Sequence, residues 1–334
     1  MKNKLINGWA FFRYLNKKKL SNYILLFASF HLSRWTKKPI IWGYPSTLSI
    51  EPTTSCNLRC PECPSGLRSF TRPTGMLSNT LFRSIIDQSG DYLSYLHLYF
   101  QGEPYLHPEF LDMVKYADQK GIFTATSTNA HYLNAENVHK TLDSGLRQLI
   151  VSMDGITQEV YQDYRIGGKL QKVKDGLALL VQTRKERDLK FPRIILQFLV
   201  TGKNEHQIPE LHGFAAALGV DEVQLKTTQI YGFEMGSELI PKNPEYSRYL
   251  PSGNGTWKLK KEIENKCWRM WQGAVVTWDG KIVPCCFDKD GSHVMGKIGE
   301  ATLQEVWKSP QYNAFRRQLL EDRQQIEMCK NCSE

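Results

Sequence analysis

The stretch "EPTTSCNLRCPECPSG" at residues 51–66 decides how this sequence is interpreted. Three cysteines, Cys56, Cys60 and Cys63, lie in a loop rich in Pro, Thr and Ser, with three and then two residues between them. Three thiolates can bind three irons of a cubane 4Fe–4S cluster and leave the fourth iron open, and an open position marks a reactive metal site. A zinc site or a chance spacing is the alternative.

The cysteine loop follows the first of six β-like runs that alternate with helical patterns. We predict strands at 46–51, 95–100, 122–127, 148–154, 193–200 and 222–227, and helices near 78–89, 108–120, 135–144, 170–188 and 206–218. The clearest helix places these apolar residues on one face: Leu170, Val173, Leu177, Leu180 and Val181. Six β/α units predict an α/β fold with a parallel sheet, closed or partly closed as a (βα)6 TIM-like barrel.

Polar motifs stand at the ends of the next predicted strands, where parallel α/β sheets collect their functional residues. "YFQGEP" brings Gly102 and Glu103 to the end of the second strand. "STNA" and "VSMDG" follow the third and fourth strands, and "DYRIGG" lies just beyond. Their candidate polar residues are Ser127, Asn129, Ser152, Asp154 and Arg165. Alone, each motif is also typical of a turn or a helix cap.

Together, the cysteine triplet and these strand-end motifs resemble the radical S-adenosylmethionine (radical SAM) superfamily. The resemblance implies that Cys56, Cys60 and Cys63 hold a 4Fe–4S cluster whose open iron binds S-adenosylmethionine. It implies that an electron from the cluster cleaves this cofactor to a 5′-deoxyadenosyl radical, which abstracts a hydrogen from the substrate. Glu103 would receive the ammonium of the cofactor, and Gln101 stands where the family has a first glycine.

A second set of cysteines lies at the C-terminal end of the chain, in "CWRMW", "TWDGKIVPCC" and "CKNC". The stretch "VVTWDGKIVPCC" predicts a hairpin that turns at Asp279–Gly280, and "TLQEVWKSPQYNAFRRQLL" predicts a helical part. The segment resembles the shortened SPASM, or twitch, domain of some radical SAM enzymes. The resemblance implies one auxiliary 4Fe–4S cluster, held by Cys267, Cys285, Cys329 and Cys332. A zinc knot is the alternative, and Cys286 is left over as a buried thiol, a substitute ligand or a reactive group.

The formal charge of +9 belongs to the N-terminal end of the chain. Residues 1–50 hold nine of the 43 basic residues and none of the 34 acidic ones. The remainder of the chain therefore contains equal numbers of basic and acidic residues. Leu5, Trp9 and Phe12 fall on one helical face, and Leu20, Ile24, Phe27 and His31 suggest a second helix. This pattern favours contact with an anionic membrane surface, although helices that merely cover the barrel, or RNA binding, would also account for it.

The sequence therefore predicts four regions: a basic amphipathic arm (1–45), a radical SAM core (46–230), a linker or substrate loop (231–262) and a twitch-like cluster domain (263–334). No run of 18 apolar residues and no good secretory signal is evident, and clustered cysteines suit a reducing cytosol. We expect a cytoplasmic protein, with peripheral contact at the inner face of the membrane through residues 1–40.

The resemblance implies a radical SAM oxidoreductase or maturase, with the auxiliary cluster as electron acceptor or relay. It also implies a flavodoxin or ferredoxin as electron donor, and a peptide, small molecule or lipid-linked molecule as substrate. A peptide-modifying maturase of the SPASM type is the second hypothesis. A non-catalytic iron–sulfur or zinc-binding protein is the third, and nucleic acid is not an expected partner.

Overall fold

The computed structural model describes residues 11–332 of the 334-residue chain. Its strands are β1 (Thr47–Ile50), β2 (Tyr95–His97), β3 (Phe123–Thr128), β4 (Gln148–Ser152), β5 (Arg193–Val200), β6 (Glu222–Thr227), β7 (Tyr249–Gly253), β8 (Thr256–Leu259), β9 (Gly273–Val276), β10 (Lys281–Val283) and β11 (Gly296–Lys297). Its helices are α1 (Lys17–Thr36), α2 (Pro64–Leu67), α3 (Asn79–Ser89), α4 (Phe110–Gln119), α5 (Ala135–Asp143), α6 (Gln158–Tyr164), α7 (Leu170–Glu186), α8 (Ile208–Ala217), α9 (Arg269–Gln272), α10 (Leu303–Trp307) and α11 (Pro310–Asp322).

The predicted parallel sheet is confirmed. Strands β1 to β6 pair with one another in chain order, and every pairing is parallel. Because the strands are parallel, their carboxyl ends meet at one edge, and the loops after β1 to β4 share that edge. The architecture is the partial (βα)6 barrel expected from the sequence.

The five predicted helices are present. Their apolar residues recur at helical spacing, which places them on the buried side of each helix. In α7, Leu170, Val173, Leu177 and Leu180 are buried as predicted. The helix α6 was not predicted, because its seven residues are too few to show a period. It buries Tyr161 in the main core and Tyr164 against Leu58 and Cys60 of the cysteine loop.

The predicted hairpin of the C-terminal region is also confirmed, and it continues the barrel sheet. Strand β9 pairs in parallel with β1, on the side opposite β2, and β10 returns antiparallel to β9. Gly280 has φ 86° at the turn between β9 and β10, a conformation that favours glycine. The predicted helical part is two helices, because Ser309 caps α11 by accepting a hydrogen bond from the Tyr312 N–H and Pro310 starts a new first turn.

The segment predicted to be a linker or substrate loop contains the antiparallel hairpin β7–β8. A small apolar cluster holds it, in which the rings of Phe233 and Tyr249 stack with centroids 4.5 Å apart. The Tyr249 hydroxyl donates to Asn331 Oδ1 at 2.8 Å. The hairpin therefore contacts the chain between the last two cysteines.

The described part of the N-terminal arm packs on the core. Leu26 and Phe30 of α1 are buried, and the Phe30 ring lies 5.4 Å from the ring of Trp271. The indole N–H of Trp271 donates to the Ile40 carbonyl at 3.0 Å. Leu5 and Trp9, on which part of the membrane hypothesis rests, lie outside the described residues. In residues 11–332, no helix is long and apolar enough to cross a bilayer.

Candidate functional site

The first cysteine loop lies over the carboxyl ends of β2, β3 and β4. Each thiol contacts a different segment that follows one of these strands. Asn129 Nδ2 lies 3.9 Å from Cys56 Sγ, Gln101 Oε1 lies 3.8 Å from Cys63 Sγ, and Arg165 Nη1 lies 3.7 Å from Cys60 Sγ. The loop that the sequence singled out is therefore brought together with three of its strand-end motifs.

Two glycines let the backbone pack closely beneath this loop. A Cβ on Gly66 would lie 2.5 Å from the Cys60 nitrogen, and one on Gly102 would lie 2.2 Å from the Thr53 carbonyl oxygen. Gly102 also has φ 73°, and its N–H donates to Ser65 Oγ at 2.9 Å. The "GEP" turn is thus packed against both ends of the cysteine loop, which explains why glycine stands at position 102.

Glu103 is buried, and its carboxylate lies among hydrogen-bond donors of the next strand end. Thr128 Oγ1 donates to Oε1 at 2.7 Å, and the Asn129 N–H donates to Oε2 at 2.8 Å. Burial raises the pKa of Glu103 to about 7, and these hydrogen bonds oppose that rise. The carboxylate fixes the loop after β3 in place and has lone pairs left for a cation.

The remaining predicted polar residues form two pairs. Ser127 and Ser152, on neighbouring strands, have hydroxyl oxygens 3.4 Å apart. Arg165 Nε donates to Asp154 Oδ2 at 2.5 Å, while Asp154 Oδ1 accepts from the Leu199 N–H at 2.7 Å. Arg165 therefore joins β5 and the cysteine loop through one buried ion pair.

Burial makes the thiols of the triplet harder to ionise. Burial raises the pKa of Cys56 to about 11 and raises the pKa of Cys60, so any metal or cluster that binds these two thiols must displace their protons. Within residues 11–332, no group of three or more Cys, His, Asp or Glu side chains could hold a single metal ion.

A buried arginine, Arg323, lies beside three cysteines of the second set. Its guanidinium donates to Cys332 Sγ at 3.0 Å and to the Lys266 carbonyl oxygen at 2.9 Å. The guanidinium also hydrogen-bonds Cys329 and interacts electrostatically with Cys267. Cys285 in turn lies close enough to Cys267 for the two thiols to interact electrostatically. The four predicted cysteines are thus gathered from three distant segments. Cys286 lies beside them, with its Sγ 3.5 Å from Arg269 Nη1.

Sequence reasoning missed three residues of these sites: Gln101, Thr128 and Arg323. Gln101 was noted only as a departure from the family motif, and Thr128 lies inside "STNA" without being singled out. Arg323 gave no signal, since a basic residue near the end of an amphipathic helix is ordinarily solvated. Only its position in the fold shows that it lies among thiols.

Comparison with known proteins bears on both regions. Residues 50–215 match the family model described as the radical SAM superfamily, and residues 267–333 match the SPASM model, described as an iron–sulfur cluster-binding domain. The chain is 28% identical over 310 residues to the tungsten-containing aldehyde ferredoxin oxidoreductase cofactor-modifying protein of Pyrococcus furiosus, covering 80% of this chain and 82% of that protein. It is 25% identical over 291 residues to the PqqA peptide cyclase of Gluconobacter oxydans, covering 81% and 79%.

The fold is similar to that of SuiB from Streptococcus suis bound to S-adenosylmethionine, with a TM-score of 0.64 and 15% identity over 91% of this chain and 75% of that one. A radical SAM domain implies a 4Fe–4S cluster with S-adenosylmethionine, and a SPASM domain implies auxiliary iron–sulfur binding. The chain belongs to the radical S-adenosylmethionine superfamily and carries a C-terminal iron–sulfur cluster-binding domain of the SPASM type.

Proposed function

We propose that Cys56, Cys60 and Cys63 hold the cluster that binds S-adenosylmethionine, and that Cys267, Cys285, Cys329 and Cys332 hold one auxiliary cluster. The observation that carries the first assignment is the contact of each thiol in the triplet with a separate strand-end segment, through Asn129, Arg165 and Gln101. Bound there, the cluster would supply the electron for reductive cleavage of the cofactor, which would in turn provide the radical for hydrogen abstraction.

The residues around the triplet would bind and orient the cofactor. Glu103 offers a buried carboxylate for the ammonium group, and Gly102 lets the backbone approach. Ser127 and Ser152 offer hydroxyls from neighbouring strands, and Asn129 offers an amide. Arg165 would hold the cofactor carboxylate while Asp154 fixes its guanidinium.

The C-terminal set would hold a closed site with four thiolate ligands. Arg323 places a positive charge beside at least three of these thiols. This charge stabilises the thiolates and makes the net charge of the site less negative. We infer that this centre accepts or relays the substrate electron when the reaction is an oxidation. A purely structural role for the auxiliary centre is the alternative. The assignment of the chain as an oxidoreductase requires the electron-accepting or electron-relaying role.

The names of the relatives suggest a class of substrate. One relative is named as a peptide cyclase and another as a cofactor-modifying protein, so a peptide-modifying maturase is the second candidate function. A small molecule or a lipid-linked molecule is the other class of substrate. We propose flavodoxin or ferredoxin as the electron donor, a cytoplasmic location and no nucleic acid partner.

The decisive experiment is iron and sulfide analysis of the anaerobically purified and reconstituted chain, followed by a search for 5′-deoxyadenosine. Two cubane clusters predict about eight irons per chain. We expect 5′-deoxyadenosine to form when a low-potential reductant and S-adenosylmethionine are supplied. Stoichiometric zinc without sulfide would instead show a zinc-binding protein and would overturn the enzymatic assignment.

A further inference from the structure

The solvent-facing side of α1 has no part in the proposed chemistry. Leu20, Ile24, Phe27 and Trp35 follow one another along one side of the helix and are 51%, 57%, 52% and 82% exposed. The opposite side, which contains Leu26, faces the core and is buried. A helix that only covers a core needs one apolar face, so the second face requires another partner.

Exposed apolar side chains are concentrated in this part of the chain. Of the fifteen large apolar residues that are exposed within residues 11–332, eight lie between residues 12 and 42. These eight are Phe12, Leu20, Tyr23, Ile24, Leu25, Phe27, Trp35 and Trp42. The remaining seven are scattered between residues 67 and 235. The concentration is a property of α1 and its two ends.

Positive charge borders the same face at both ends of the helix. Lys17 precedes Ile24 by seven residues and Arg34 follows Phe27 by seven, so both lie on the apolar side after two turns. Residues 11–50 contain seven basic side chains and no acidic one. Six of the seven are exposed: Arg13, Lys17, Lys18, Arg34, Lys37 and Lys38. Lys18 is paired with Asp91, and Lys19 is buried, so neither adds its full positive charge to this surface.

An open cleft of about 380 Å³ lies at the C-terminal end of this face. The helix side of the cleft supplies His31, Arg34, Trp35 and Lys37. The other side supplies Glu264, Asn265 and Lys266, and the Glu264 carboxylate is paired with Lys266. A guanidinium and an ammonium beside a mostly exposed indole match the phosphate and interfacial region of a phospholipid.

We propose that α1 lies flat on the surface of an anionic phospholipid bilayer. Leu20, Ile24, Phe27 and Trp35 enter the interfacial region, and the cations at the two ends of α1 contact lipid phosphates. A second copy of this chain would also cover the apolar face, but it would bring two rows of cations together, which a lipid surface avoids. The proposal is independent of the cluster chemistry.

The test is co-sedimentation of the full chain with vesicles of phosphatidylcholine alone or mixed with phosphatidylglycerol. The apolar variant is Ile24→Ser with Trp35→Ser, and the charge variant is Arg34→Gln with Lys37→Gln. The matched control is Leu179→Ser with Met235→Ser, which removes side chains that are 36% and 85% exposed elsewhere on the surface. Circular dichroism checks that every variant is folded.

We expect the wild-type chain to bind mixed vesicles more tightly than neutral ones, and added salt to weaken that preference. The apolar variant should bind mixed vesicles about tenfold more weakly, because it loses two inserted side chains. The charge variant should lose a similar factor on mixed vesicles only. Absence of binding by the wild type would overturn the proposal. So would equal losses in the control, or a dimer in sedimentation velocity that the apolar variant abolishes.

Discussion

Gly66 lies where a single methyl group should test the assignment of the first cluster. It is buried in α2, and a Cβ at this position would lie 2.5 Å from the nitrogen and 2.6 Å from the carbonyl oxygen of Cys60. Both contacts are to backbone, so no side chain can turn away to relieve them. Gly66→Ala must therefore displace the backbone of Cys60 by several tenths of an ångström or more.

The expected change in stability combines two opposing effects. Overpacking of this kind costs about 1–3 kcal/mol. Alanine is favoured over glycine in a helix by about 1 kcal/mol at most, and less in a helix as short as α2. We therefore expect the free energy of unfolding of the cluster-free protein to fall by about 0–3 kcal/mol, which leaves it folded.

The larger effect of Gly66→Ala should be on the number of irons bound per chain. Since Cys60 would move relative to Cys56 and Cys63, Gly66→Ala should keep about four of the roughly eight irons and lose 5′-deoxyadenosine formation. The matched control is Gly213→Ala in α8, where a Cβ would meet nothing within 4 Å. The Gly213→Ala control should gain up to about 1 kcal/mol in its free energy of unfolding and bind as much iron as the wild type. Iron analysis, electron paramagnetic resonance and anaerobic denaturant unfolding measure these outcomes. Full iron and normal cofactor cleavage in Gly66→Ala would refute the placement of the cluster on this loop.

Three further variants separate the proposed roles. Cys56→Ala, Cys60→Ala and Cys63→Ala together should leave about four irons and abolish cofactor cleavage, and retention of 5′-deoxyadenosine formation would show that the first cluster is elsewhere. Cys329→Ala with Cys332→Ala should keep slow 5′-deoxyadenosine formation but lose product, whereas normal turnover in a well-folded variant would exclude the electron-acceptor role. Glu103→Gln should weaken S-adenosylmethionine binding by about tenfold or more at unchanged iron content, because an ionic hydrogen bond is lost. Because burial raises the pKa of Glu103 to about 7, wild-type affinity should increase as the pH rises through about 7, while that of Glu103→Gln stays flat. A pH dependence that persists in Glu103→Gln would assign the titration to another group.

Much of the fold was predictable because its signals are local. Strand and helix periodicity span fewer than twenty residues, and the six parallel strands and five of the helices match their predictions. The spacing of Cys56, Cys60 and Cys63 is equally local, as are the motifs that contain Gly102, Glu103 and Asp154. A pattern within one short segment can be recognised without knowing where the rest of the chain lies.

Tertiary structure decided what depends on segments far apart in the chain. Strand β9 extends the barrel sheet because Thr47 pairs with Gly273, 226 residues away. Arg323 lies against Cys332 only because the end of α11 packs over the chain at Lys266. The spacing of Leu20, Ile24, Phe27 and His31 predicted a helix, but which side of this helix the core would bury depended on the shape of the surface beneath it. Periodicity records that a residue is apolar, whereas its neighbours are fixed only when the whole chain has closed around them.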